Sequence, residues 1–266
     1  VASEDVSLDG VEADPGFHGE GLFNIADSQI KYGYKLFDKL YPASTTKVMT
    51  AYLALKYGNL DDVVTMSATS TNFNWDESTC DLSAGDSLTL YDLICGLLLQ
   101  SGNDCAAAIA EHISGSQEAF AELMNTEAKQ LGATGTHFVN PHGLHDENHY
   151  TTTYDLYLMF NEALKDQAFL DIISMNSYTA KVTSADGTSY TPTWQATNYY
   201  SAGEATPPDG IHVYGGKTGT TDQAGNCVIL YEKNTAGEPY ISVIMGASDK
   251  PLLYEEMNEL LDAGMK

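Results

Sequence analysis

Hydrophobic and polar positions change rhythm along this chain of 266 residues. Apolar and polar side chains alternate in Phe23-Asn24-Ile25-Ala26 and in Tyr32-Gly33-Tyr34-Lys35-Leu36, which predicts a turn-rich pair of short strands within residues 22–40. After Pro42 the period lengthens. Val48, Met49, Ala51, Tyr52, Leu53 and Leu55 recur with helical spacing up to Gly58, so Ser44 stands at or near a helix N-terminus. Residues 61–171 read as mostly helical, with helices at 88–99, 104–113 and 154–164. A further apolar face is formed by Phe120, Leu123, Met124, Ala128 and Leu131, and Ser101-Gly102-Asn103 is the turn between the first two helices.

The texture beyond residue 171 is β. Strands are expected at 178–183 and 189–193 around Asp186-Gly187, then at 215–220, 227–233 and 240–247, with a closing helix at 252–261. This order predicts an α/β (α+β) fold: an antiparallel sheet flanked by terminal helices, with an all-helical lobe (about 61–171) inserted between its strands. The acidic stretch 1–21 reads as a tether left after export processing, and 22–266 as a single domain.

Charge narrows the range of partners. Acidic residues number 37 against 12 basic ones, all lysine, for a net charge of −25. Such a field repels phosphate backbones and anionic lipid headgroups, so no nucleic acid is expected as partner. No apolar run is long enough to span a membrane. Cys80, Cys95, Cys105 and Cys227 show neither CxxC nor zinc spacing; they read as buried free thiols, with one disulfide as the alternative.

Three short motifs carry the chemistry. Ser44-Thr45-Thr46-Lys47 is an SxxK, Ser101-Gly102-Asn103 an SxN, and Lys217-Thr218-Gly219 a KTG. Residues i and i+3 share a helix face, so Lys47 can reach the Ser44 hydroxyl. An ordinary lysine, with a pKa near ~10.4, is a poor base. The helix dipole and a second cation, Lys217, would lower it, and a neutral Lys47 could then take the Ser44 proton. Ser101 is suited to relay a proton to a leaving amine and Asn103 to bind a substrate amide. Lys217 and Thr218 can hold a carboxylate, and Gly219 leaves room for a substrate backbone. Backbone N–H groups of Ser44 and Thr220 would form an oxyanion hole. Each motif alone is weak; their order and placement make the case.

On these residues the chain resembles the serine-type D-alanyl-D-alanine carboxypeptidases, the low-molecular-mass penicillin-binding proteins. The resemblance covers PASTTKVMTAYL at 42–53, SGNDCAAAIAE at 101–111, GATGTHFVNPHGLH at 132–145, HYTTTYDL at 149–156 and GGKTGTTDQAGNC at 215–227. It implies a β-lactamase/transpeptidase-like fold and no cofactor. The implied reaction removes the terminal D-Ala from peptidoglycan stem peptides through an acyl-enzyme, with β-lactams acting as covalent inhibitors. It also implies an exported protein that meets the membrane only through a segment absent from this chain. Members often carry a bulky or aromatic residue after KTG, where this chain has Thr220, and some place an arginine near the carboxylate, where this chain has none. Larger members continue into a second β-rich domain and an amphipathic anchor.

Two other functions compete. A serine β-lactamase would need a deacylating carboxylate, and no ExxLN-like segment follows Ser101. A non-hydrolytic β-lactam or muropeptide sensor would not need both lysines. His142, His145, Asp146 and His149 crowd one loop, but no fixed helical face supports metal spacing, so no metal site is expected.

Overall fold

A computed structural model describes residues 5–266. In chain order it contains strands β1 (Gly19–Asn24) and β2 (Gln29–Tyr34), a 3-10 turn Ala43–Thr46, then helix α1 (Lys47–Tyr57). Short strands β3 (Val63–Thr65) and β4 (Ser87–Thr89) follow. Helix α2 (Leu90–Cys95) runs on through a π-helical turn, Gly96–Gln100. Then come α3 (Asn103–Ser114), α4 (Gln117–Gln130), α5 (Thr153–Ala163) and α6 (Gln167–Ile173). Four short strands, β5 (Ser177–Thr179), β6 (Val182–Thr183), β7 (Ser189–Tyr190) and β8 (Thr193–Gln195), lead to a single helical turn α7 (Tyr199–Ala202). The chain closes with β9 (His212–Thr221), β10 (Gly225–Lys233), β11 (Pro239–Ala247) and α8 (Lys250–Gly264).

The main sheet is antiparallel, in the order β2-β1-β11-β10-β9. Its inner strands β1, β11 and β10 are buried on both sides, and period two sorts their side chains between two cores. Phe23, Ile229, Tyr231, Ile241, Val243 and Met245 join the core shared with α1 and α5. Leu22, Val228, Leu230, Tyr240 and Ile244 pack with Leu253, Met257 and Leu261 of α8. The edge strand β9 runs beside the 3-10 turn, and this crossing of sheet edge and helical lobe is where the three motifs meet.

Several expectations are corrected. The first strand begins at Gly19, three residues before the expected boundary. The described part of the expected tether is packed: Val6 bridges to Gly33, and Phe17 is buried against α8's core. Only the C-terminal one of two flanking terminal helices exists among the described residues, because Gly10, Pro15 and Gly16 interrupt the other. The inserted lobe is not all helical. Val64 and Leu88 point inward between exposed or half-exposed neighbours, so 63–65 and 87–89 pair as strands. The helix expected at 88–99 starts at Leu90, where Thr89 and Asp92 form a capping box. α6 and α7 were not anticipated; each is too short to show a period. No helix among the described residues is long and apolar enough to cross a membrane.

Candidate active site

Ser44 sits on the 3-10 turn that leads into α1, and the backbone there is forced. Ala43 has a left-handed φ of 48°, and Thr45 ties the turn back by donating its hydroxyl to the Pro42 carbonyl at 2.6 Å. Gly143, also left-handed, presses on the same corner: a Cβ there would stand 1.9 Å from the Ala43 carbonyl oxygen. Gly143→Ala is therefore expected to destabilise the fold by several kcal/mol and to depress acylation of Ser44 with it. Thermal unfolding checks the first part, and an unchanged midpoint would refute it.

One turn further on, Lys47 is fully buried. Its Nζ donates to Ser44 Oγ at 2.9 Å, Asn103 Oδ1 at 2.7 Å and the His142 carbonyl at 2.7 Å. Asn103 Oδ1 and the His142 carbonyl have no proton to give, so each holds an N–H. The third direction, toward Ser44, is then where a neutral amine must aim its lone pair. Burial pushes the Lys47 amine down to about 7, with Asp104 pulling the other way. This corrects the sequence reading, which credited the helix dipole and Lys217; desolvation is the larger cause.

Across the cleft, Lys217 of β9 donates to Ser101 Oγ at 2.9 Å and to the Thr218 carbonyl at 2.8 Å. Burial first, and Lys47 second, hold its amine well below the ordinary lysine range. Ser101 adopts a left-handed φ of 64° between the π-helical turn and α3, so the SxN segment is a strained corner like that at Ala43. Thr218 shares a 2.7 Å hydrogen bond with the hydroxyl of Thr197. A Cβ at Gly219 would lie 2.8 Å from the Ser44 nitrogen, so glycine lets the edge strand approach the turn. Thr220 follows, exposed on the same edge. Six of the eight residues expected of the site thus line one cleft of about 480 Å³, and the other two, Lys47 and Lys217, lie buried behind it, bonded to Ser44 and Ser101.

The histidine loop is structural support. His149 accepts from the Val139 N–H at Nδ1 (3.1 Å) and meets the Thr46 hydroxyl at Nε2 (2.8 Å), while His142 Nδ1 accepts from the Leu144 N–H (3.2 Å). Burial lowers both rings, to about 4 and about 3, so they are neutral packing groups.

The cleft also holds residues that sequence reasoning missed: Asp76, Glu77, Thr197 and Lys250. Lys250 had a signal, since in an arginine-free chain any exposed lysine beside a strand end is a candidate anion partner. The others had none, because their approach depends on tertiary packing alone.

A family model described as D-alanyl-D-alanine carboxypeptidase matches residues 24–249. The chain is 33% identical over 232 residues to the D-alanyl-D-alanine carboxypeptidase DacA of Haemophilus influenzae, covering 84% of this chain and 55% of that one. It is 30% identical over 239 residues to DacF of Bacillus subtilis, a protein of the same description, covering 88% and 58%. The chain thus spans little more than half the length of these curated relatives. Among solved structures, the Streptomyces K15 DD-transpeptidase superposes with a TM-score of 0.87 at 26% identity, covering 96% of this chain and 98% of that one.

Proposed function

The chain belongs to the D-alanyl-D-alanine carboxypeptidase family, and we propose that it is itself a serine DD-carboxypeptidase acting on peptidoglycan stem peptides outside the cytoplasmic membrane. Residues 22–266 are read as one catalytic domain. The observation that carries the reading is the 2.9 Å contact of Lys47 Nζ with Ser44 Oγ, its other two N–H directions already engaged.

In the proposed reaction Ser44 Oγ attacks the carbonyl of the penultimate D-Ala while Lys47 takes the hydroxyl proton. The oxyanion is stabilised by the N–H groups of Ser44 and Thr220. Collapse expels the terminal D-Ala, whose amine receives a proton through Ser101, and water then hydrolyses the Ser44 ester. Asn103 orients the substrate amide. Release of D-alanine from a diacetyl-Lys-D-Ala-D-Ala peptide tests the reading; no release under conditions where Ser44 is acylated by penicillin would point to a sensor. The K15 neighbour's description as a transpeptidase supports one further arm, in which an added amine competes with water for the acyl group.

The substrate's terminal carboxylate is assigned to Thr218, Lys217 and Lys250. Lys217 is buried and already bonded to Ser101 Oγ and the Thr218 carbonyl, so Lys250, exposed on the cleft wall, is the lysine placed to meet the carboxylate directly. Thr218→Val or Lys250→Ala is expected to lower kcat/KM about ten- to hundredfold, as loss of one charge-assisted hydrogen bond of ~1.5–3 kcal/mol implies. A C-terminally amidated substrate should lose a similar factor on the unaltered enzyme. Equal turnover of acid and amide would remove this assignment.

A further inference from the structure

Behind the Ser101–Asn103 corner, two of the four free cysteines converge. The Sγ atoms of Cys80 and Cys105 and a carboxylate oxygen of Asp104 all lie within 4.8 Å of one another. The carboxylate is already engaged. It accepts the backbone N–H groups of Cys80 (2.9 and 3.0 Å), Leu82 (3.2 Å) and Cys105 (2.9 Å). Asp104 therefore clips the main chain of residues 80–82 onto the start of α3 and sets one sulfur beside the other. Two glycines leave the space: a Cβ at Gly96 would stand 2.7 and 2.8 Å from the two sulfurs, and one at Gly102 2.6 and 3.2 Å. The other thiols have different neighbours, Cys227 donating to the Ala224 carbonyl and Cys95 lying beside Tyr91.

We propose that Cys80 and Cys105 are a redox pair that closes to a disulfide and staples one wall of the cleft, residues 76–78, to the helix start that carries Asn103. Cys80 is the sulfur an oxidant meets first. It is 5% exposed where Cys105 is wholly buried, and it adjoins exposed Asp81, whose left-handed φ of 57° marks a strained loop. With an organic disulfide as oxidant, the Cys80 thiolate attacks one of its sulfurs and expels a thiolate. The Cys105 thiolate then attacks the Cys80 sulfur of the mixed disulfide and expels the second. The two cysteine protons end on the released thiolates, so the oxidant becomes two thiols and the protein loses two hydrogens. Burial raises both thiols above their ordinary range, so closure is slow at neutral pH and quickens in alkaline buffer.

The test treats the whole chain with hydroxyethyl disulfide in mildly alkaline buffer and follows intact mass, peptide mapping and thermal unfolding. The expected result is a mass lower by two hydrogens, a cross-linked peptide joining Cys80 to Cys105, and a higher unfolding midpoint that reverts with reductant. Cys95→Ser should change none of this, and Cys105→Ser should stop at the mixed disulfide on Cys80. Four thiols still titrating in the treated, denatured chain would overturn the proposal. So would a link through Cys95 or Cys227, a terminal mixed disulfide in the unaltered chain, or a midpoint that does not rise.

Discussion

Benzylpenicillin is expected to leave one long-lived adduct per chain, bound through Ser44. The drug's lactam carbonyl takes the place of the scissile D-Ala carbonyl, so the hydroxyl poised 2.9 Å from Lys47 attacks it as it would the peptide. The consequences then diverge. D-Ala departs and leaves room for water, whereas the opened ring keeps its amine tethered in the position water must take. Of the three carboxylates that line the cleft, Asp76, Glu77 and Asp222, only Glu77 is seen engaged, turned back onto the N–H and side-chain amide of Asn74, so the drug's fate decides whether either of the others activates water. Intact-protein mass spectrometry should show the added drug and peptide mapping should place it on the segment containing Ser44. Ser44→Ala should abolish the adduct and lower peptide turnover by about 10⁴-fold or more. Hydrolysis of the drug within seconds, with no adduct surviving, would mean a β-lactamase.

The second large effect belongs to Lys47. As a base it works only when neutral, so kcat/KM should climb with pH through about 7 and level off above it. Lys47→Arg keeps the charge but cannot lose a proton, and its loss should match that of Lys47→Ala, about 10²–10⁴-fold. A flat profile across this range, or an arginine variant near full activity, would assign the proton to another group.

The fold class and the residues that meet at the cleft were more legible than the detail of the architecture. Ser44, Lys47, Ser101, Asn103 and the Lys217-Thr218-Gly219 run were readable because the proposed nucleophile and base need a fixed spacing on one helix, and short motifs record that spacing. Strands β9 to β11 were readable at 215–220, 227–233 and 240–247, the last two as apolar runs. Other features leave no periodic trace. The pairing of 63–65 with 87–89 is set by long-range contact, and the irregular, turn-rich run from Met66 to Asp86 owes its shape to anchors such as Asp104. Why the Lys47 amine is held below the ordinary lysine range was also misjudged, since a sequence shows neighbouring charges more readily than it shows depth.

That depth has a thermodynamic side. An amine that ionises near 10.5 when the chain is unfolded and near 7 when folded binds its proton more tightly in the unfolded state. The difference opposes folding by on the order of 5 kcal/mol at or below neutral pH, and the penalty fades as pH rises from about 7 toward 10.5. This is a substantial fraction of the ~5–15 kcal/mol that holds a typical domain together. Lys217, equally buried and also depressed, adds to it in the same direction. The lysine pair is therefore a built-in weakness that the hydrophobic cores on both sides of the sheet must offset, and on the proposed mechanism neither lysine can be traded for a more stabilising residue without losing the proton chemistry.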